Sequence, residues 1–358
     1  MRDEELKVEL LCRGMRVPRE AWDYYKRSAG FPIRFGDTLV SVPSKGKYDR
    51  YSFVENSPYS IMRSDERWLL LKDGEVVREV EVAEVPGFYS RRSSDGVEMR
   101  RIFQVCGWDC VLTGVVQSCA YQRHGEECRF CGTIYNPVYE GRLDRKLPEQ
   151  LAEAAEAAAQ EGIKHAVITS GVMPTPDRGA RILLEAAKAI KERVDIPLEA
   201  ELAPPEDMLY LELLLEHVDS VSINIETLDQ SVREYACPGK SRIPYDAYFT
   251  AYELALDTLG ENQVNSWLIA GLGESDEAVI EGVEELAERG VFPFLVPLRS
   301  TKGTGYEGTS PPSPERLSSL AMQAAEVVKD FGLKPEKNRA GCMRCSACSP
   351  VRDFLRLV

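Results

Sequence analysis

Residues 111–131 read VLTGVVQSCAYQRHGEECRFC, and the fold turns on how this stretch is parsed. Val111–Ser118 is an apolar, β-branched run of strand length. The loop after it carries Cys119, Cys128 and Cys131. Beyond the loop, strand and helix alternate. Helices are expected over Pro148–Gln160, Arg181–Val194, Asp207–His217, Tyr245–Leu259 and Glu277–Arg289. The first has proline in its first turn and Gly162 past its end. Strands are expected over His165–Thr169, Leu198–Leu202, Val218–Ile225, Val264–Ala270 and Phe292–Leu298. Six strands joined by helix-length crossovers must pair in parallel. The fold class is therefore α/β, a partial (β/α)6 barrel. Functional groups of such barrels lie on the loops after the strands, which places Cys119 at the barrel mouth.

Working outward, residues 1 to about 30 mix apolar and charged side chains at helical spacing and predict a helical lead-in. Thr38–Val42 and Trp68–Leu71 are strand-like, and Asp73-Gly74 is a two-residue hairpin signal. A small β-rich N-terminal module follows from these. Ser313-Pro314 opens a last helix to about Lys329, ahead of a cysteine-rich C-terminal tail. The expected division is 1–105, 106–305 and 306–358.

Composition narrows the function. The chain has 358 residues, is 44% hydrophobic and 28% charged, and carries a formal charge of −14. That charge repels phosphate backbones and anionic lipid, so neither nucleic acid nor membrane is an expected partner. No run reaches the roughly 20 apolar residues of a membrane span, and the first residues lack a signal peptide's apolar core. The expected location is cytoplasmic. Disulfides are disfavoured there, so ten cysteines read first as metal ligands. Three histidines, His124, His165 and His217, are too few for several Cys/His zinc modules.

Three thiolates on one loop match three corners of a cubane iron–sulfur cluster and leave one iron open. Zinc is the alternative, although a structural zinc site wants four ligands. The tail, Gly341-Cys342-Met-Arg-Cys345-Ser-Ala-Cys348-Ser349, has the spacing that wraps a second cubane, with zinc again the alternative. It needs a fourth donor, for which Cys106, Cys110, Cys237, Cys12, Ser346 and Ser349 are candidates. Each of these cysteines alone reads equally as a buried apolar thiol. Glu199 and Glu201 share one face of their strand. Two buried carboxylates are costly, so they are either functional or ion-paired with Arg or Lys. Arg299, after the sixth strand, is a candidate for an anionic group of cofactor or substrate, or an ordinary surface arginine.

The cysteine loop at this place in the fold resembles the radical S-adenosylmethionine (radical SAM) superfamily. The resemblance implies a 4Fe–4S cluster on Cys119, Cys128 and Cys131, with its open iron taking the amino and carboxylate groups of S-adenosylmethionine. The family's usual cysteine spacing is three then two; here it is eight then two. The aromatic residue before the last cysteine, Phe130, corresponds to one near the adenine. Thr169-Ser170-Gly171 stands at the glycine-rich segment that binds the methionine amino group, without that segment's terminal Glu. Ser222, Asn224 and Glu226 stand where ribose and carboxylate contacts are made. Leu268–Glu274 resembles the fifth-strand motif that packs on adenine.

Pro204-Pro205, Pro238-Gly239-Lys240, Ala270–Gly273, Phe292–Pro297 and the tail are similar to the nitrilase-associated (Nit1C-cluster) radical SAM proteins. They are also similar to archaeal-type two-component lipoyl synthases. The second resemblance implies an auxiliary 4Fe–4S cluster that gives up sulfide at an unactivated carbon. It also implies an octanoyl-lysine substrate on a lipoyl carrier protein or peptide, a second radical SAM component, and a ferredoxin or flavodoxin as reductant. Two other readings stay open: another radical transformation, with the second cluster relaying electrons or ligating substrate, and a non-catalytic iron–sulfur or zinc protein.

Overall fold

A computed structural model describes residues 1–21, 30–45, 50–132 and 143–358. The chain opens with α1 (Asp3–Arg13), which packs on a seven-stranded sheet. Its strands are β1 (Met15–Arg16), β2 (Phe31–Phe35), β3 (Thr38–Val42), β4 (Ser44–Lys45), β5 (Tyr59–Ser64), β6 (Arg67–Lys72) and β7 (Glu75–Val82), in the order β3-β2-β7-β6-β5-β1-β4. The expected hairpin joins β6 to β7. Lys72 pairs with Glu75, and Asp73 and Gly74 both take positive φ (52° and 89°), as a two-residue turn between twisted strands requires. Of the helical lead-in, α1 is observed, and residues 22–29 lie outside the described residues.

The second sheet is the half-barrel. Its strands are β8 (Gln104–Cys106), β9 (Cys110–Val116), β10 (His165–Ser170), β11 (Leu198–Leu202), β12 (Ser220–Ile223), β13 (Val264–Ala270) and β14 (Phe292–Pro297). They neighbour one another in chain order, and β9 to β14 are all parallel. Only β8 runs antiparallel, on β9. The crossovers carry α2 (Pro148–Gln160), α3 (Ala180–Arg193), α4 (Leu209–Leu215), α6 (Tyr245–Leu259) and α7 (Asp276–Glu288), with α5 (Gln230–Ala236) a short extra helix before α6. After β14 come α8 (Pro314–Asp330), α9 (Gly341–Cys345) and α10 (Val351–Phe354). Among the described residues, no helix is long and apolar enough to cross a membrane.

The core between sheet and helices is aliphatic, with the alanine-rich face of α2 and the Leu/Ala face of α3 fully buried. Inside the barrel the register sets up polar layers. Gly114, Thr169, Glu201, Ser222 and Asn265 are successive ladder partners, and so are Val167, Glu199 and Ser220. Ladder partners project to the same face. A barrel is ordinarily filled by bulky aliphatic side chains; here the C-terminal tail enters the barrel instead. Gly341 N–H donates to His165 Nδ1 (2.9 Å), Ser220 Oγ–H to Ala340 O (3.0 Å) and Cys342 N–H to Glu199 Oε1 (3.0 Å). The tail is also tied to the N-terminal module. Lys7 and Asp353 form a buried ion pair at 2.6 Å, and Ser41 N–H donates to Ala347 O.

Candidate active site

The loop after β9 is held open at the mouth by backbone contacts. Cys119 precedes a 3-10 turn, Ala120–His124, which takes up most of the long interval before Cys128. Ala120 N–H donates to Val172 O (2.7 Å), Arg129 N–H to Ala236 O (2.8 Å) and Gly239 N–H to Glu126 O (2.9 Å). The cysteine loop is thus pinned between the loop after β10 and the end of α5. Gly171 is needed here, because a Cβ at that position would lie 2.2 Å from Ser118 O. A register shift between Thr169 and Ser170 turns the end of β10 toward the same place.

These elements enclose a cavity of about 380 Å³. Cys119, Cys128, Cys131 and Phe130 line it from the loop; Thr169, Ser170 and Gly171 from β10; Asn224 and Glu226 from the loop after β12. Glu226 holds a left-handed backbone (φ 71°), fixed by its N–H on Trp267 O and by Ile269 N–H on its own carbonyl. Such strain in a non-glycine residue often marks a functional position. Lys240, for which the sequence suggested no role, joins the wall. Its ammonium pairs with Glu226 Oε1 at 2.6 Å and donates to Asn224 O at 2.9 Å. Burial opposes the Lys240 charge, but Glu226 together with Tyr248, Cys128 and Cys237 outweighs it and pushes the pKa well above the usual lysine value. Burial raises the Cys119 thiol pKa. A contact with the buried Cys237 thiol, then burial, raises that of Cys128. Iron binding at such thiols displaces protons.

Two predicted site residues lie elsewhere. Ser222 is fully buried in the barrel, its hydroxyl 2.7 Å from both Asn224 Oδ1 and Asn265 Oδ1, and it does not line the cavity. Position 222 falls one layer below the strand end, which is why alternation along β12 misplaced it. Arg299 is half-buried and engaged: it donates to Ser41 O (2.9 Å) and to the Cys348 thiol, away from the cavity.

Cys348 belongs to the second thiol group. Cys342, Cys345 and Cys348 come together with Cys106 from β8: the charge of each of the three appears in the electrostatic environment of Cys106 or the reverse. A Cβ on Gly107 would sit 2.3 Å from Cys345 Sγ, so that thiol lies against the β8–β9 turn. Two of the other candidate donors separate: Cys237 touches Cys128, and Cys12 lies on α1 among Glu9 and Arg13. Cys110, buried beside Cys106 and Cys345, stays next to the group.

Glu199 and Glu201 are not ion-paired with Arg or Lys among the described residues; they bond the tail. Glu199 accepts from Cys342 N–H and Asn265 Nδ2 (2.9 Å), and Glu201 lies 3.5 Å from Cys342 Sγ. Burial raises both carboxyl pKa values. Thr169 Oγ1–H, on the wall of the first cavity, donates to the Glu201 main-chain carbonyl (3.2 Å). Glu201 therefore meets the tail through its carboxyl and the cavity wall through its backbone. Among the described residues no three thiols lie within 4.8 Å of one another. A tetrahedral zinc, with Zn–S about 2.3 Å, holds its sulfurs about 3.8 Å apart. Both groups are more widely set than one zinc demands.

A six-stranded parallel half-barrel with a cysteine-bearing loop after its first parallel strand is the architecture of enzymes that make radicals from S-adenosylmethionine. The model of the Radical SAM superfamily matches residues 118–296, half of the chain, and the chain belongs to that superfamily. Membership brings a 4Fe–4S cluster and S-adenosylmethionine as cofactors, and a requirement for a reductant.

The bacteriochlorophyllide c C-7(1)-hydroxylase of Chlorobaculum limnaeum is 26% identical over 238 residues, 61% of this chain and 58% of that protein. The lipoyl synthase of Parabacteroides distasonis is 30% identical over 212 residues, 57% of this chain and 70% of that protein. The lipoyl synthase of Shouchella clausii is 29% identical over 166 residues, 46% and 52% of the two chains. The chain thus spans 52–58% of the length of the hydroxylase and the Shouchella enzyme. Among solved structures, methylornithine synthase superposes with a TM-score of 0.49 at 16% identity, covering 62% of each chain. A radical SAM methyltransferase from Sphaerobacter thermophilus gives 0.48 at 16%, covering 82% of this chain and 80% of that one.

Proposed function

We propose that this radical SAM enzyme inserts sulfur at an unactivated carbon of an aliphatic chain, in the manner of a lipoyl synthase. Cys119, Cys128 and Cys131 hold the catalytic 4Fe–4S cluster. Phe130, Thr169, Ser170, Gly171, Asn224 and Glu226 position S-adenosylmethionine, with Lys240 fixing the Glu226 carboxylate. Cys342, Cys345 and Cys348, with Cys106 as fourth ligand, hold an auxiliary 4Fe–4S cluster. When bound, the cofactors supply a 5′-deoxyadenosyl radical that takes a hydrogen atom, and a cluster sulfide that captures the carbon radical. The protein's part is to keep the reacting carbon between the two thiol groups and away from water. The observation that carries this reading is Glu201, whose carboxyl lies 3.5 Å from Cys342 Sγ and whose main-chain carbonyl accepts from Thr169 of the cavity wall. The octanoyl chain of a carrier protein is the substrate that likeness to lipoyl synthases puts first, with a ferredoxin- or flavodoxin-type reductant.

The test is iron and sulfide per chain after anaerobic reconstitution, for the native sequence and for Cys342→Ala/Cys345→Ala/Cys348→Ala. About eight irons falling to about four is expected for two cubanes; about four in both removes the sulfur source. Product mass with an octanoylated peptide then has to show a gain of sulfur. A fourth thiol at Cys106 favours a second reading, since a closed four-cysteine set suits electron relay. S-adenosylmethionine cleavage with a product that gains no sulfur selects it.

A further inference from the structure

The proposed cofactor contacts leave one wall of the cavity unassigned. Arg101, in the turn Met99–Arg101, lines it beside Ile102, Leu112, Val116 and Gln117. Among the described residues, Arg101 Nε is buried without a hydrogen-bond partner and its guanidinium has no ion pair. Glu98, three residues upstream, feels the Arg101 charge but is bonded to Arg92 and Arg100. The other cations of the cavity are engaged. Lys240 is paired with Glu226, Lys146 donates to Gly114 O at 2.6 Å, and Arg50 has protein partners too. Gln117 Oε1 is a second buried polar atom without a partner on the same wall. A buried guanidinium nitrogen left unsatisfied is costly. The cost is recovered when a ligand brings an anion, because charge-assisted bonds to a guanidinium are the strong ones.

We propose that Arg101 anchors the substrate through an anionic group, so that the substrate class is an aliphatic chain ending in a carboxylate or phosphate. Ile102, Leu112 and Val116 give the chain an apolar bed between that anchor and the cysteine loop. The inference rests on the cavity being the radical site. It keeps the sulfur-insertion chemistry but replaces the carrier-bound octanoyl amide put first above, which offers Arg101 no anion, so a sulfur gain on the octanoylated peptide without an anion preference overturns it.

Equilibrium binding to the reconstituted holoenzyme with S-adenosylmethionine tests it, with octanoate, octyl phosphate and octanamide as probes. At least one of the two anions should bind about tenfold or more tighter than octanamide, and which one does separates carboxylate from phosphate. Arg101→Gln should erase that preference, with octanamide affinity and melting temperature reporting that the variant is folded, and Arg101→Lys should restore part of it. Equal affinity for all three probes overturns the proposal. So does a parallel loss of S-adenosylmethionine binding in Arg101→Gln, which reassigns Arg101 to the cofactor carboxylate. If the native protein fails to cleave S-adenosylmethionine, the radical reading of this cavity falls, while the anion preference is still decided by the binding series.

Discussion

Gly341→Ala should expel the tail from the barrel. Gly341 sits at φ +80°, and a Cβ there would lie 2.0 Å from both Glu199 Cδ and Oε1. The carboxylate has no room to retreat, since it is fully buried and held by Cys342 N–H and Asn265 Nδ2. The left-handed backbone costs an L residue roughly 1–2 kcal/mol. Moving the tail out also breaks Gly341 N–H to His165 Nδ1 and Cys342 N–H to Glu199. These are worth about 0.5–1.5 kcal/mol each, both being neutral bonds since burial keeps Glu199 protonated near pH 7. The clash and the left-handed backbone burden the docked position, and a Cβ at 2.0 Å makes that the costlier choice, so the variant gives up the roughly 1–3 kcal/mol of the two bonds and undocks residues 340–342. Limited proteolysis of the metal-free protein should cut near residues 338–348 in the variant and spare the native chain. Reconstituted variant should also hold about four fewer irons. Native protease resistance together with native iron content would show that this contact does not hold the tail.

Cys106→Ala should lower iron content as the triple tail variant does, whereas Cys110→Ala should leave it near native; the reverse pattern makes Cys110 the ligand. Lys240→Met strands a buried carboxylate and should destabilise the metal-free protein by about 3–5 kcal/mol. Lys240→Met/Glu226→Gln should recover much of that in urea melts, and no recovery would deny the coupling. Burial raises Glu199 from 4.5 to about 8 and Glu201 to about 7. Between 4.5 and these values the folded chain keeps protons that the unfolded chain has released. Stability of the metal-free protein should therefore fall as pH rises from about 5 to 8. Glu199→Gln should flatten the slope, and a native urea midpoint that rises across this range would contradict it.

The barrel was legible because its strands are short β-branched runs separated by helices with clear punctuation. Leu198–Leu202 and Val264–Ala270 match to the residue. The first strand is displaced, to Cys110–Val116, because Gln117 N–H turns away to Asp144 O. Gln230–Ala236 escaped notice because its Ser, Arg and Glu residues carry no apolar stripe, and Gln104–Cys106 because three residues have no period. Cys119, Thr169, Ser170, Gly171, Asn224 and Glu226 were legible because they stand at or just past strand ends, though Gln117 and Val172, which also do, were not. Arg101 and Lys240 were not, since they lie on turns whose destination depends on packing. The tail's cysteines were visible as a cluster, but nothing local told that Gly341 meets His165, 176 positions away. Nor could Glu199 and Glu201 be assigned partners that are backbone and thiol groups of that distant segment.

The docked tail has a consequence for the order of assembly. During synthesis the six parallel strands are complete at Pro297, yet Glu199 and Ser220 lack their tail partners until residues 340–342 emerge. The Lys7–Asp353 pair closes later still, across 346 positions. At about 5–20 residues per second, the nascent half-barrel waits a few seconds with its interior wet and the thiols of the first loop already in place. Iron delivered in that interval meets the barrel-mouth site before the tail site exists, so the two thiol groups are separated in time as well as in space.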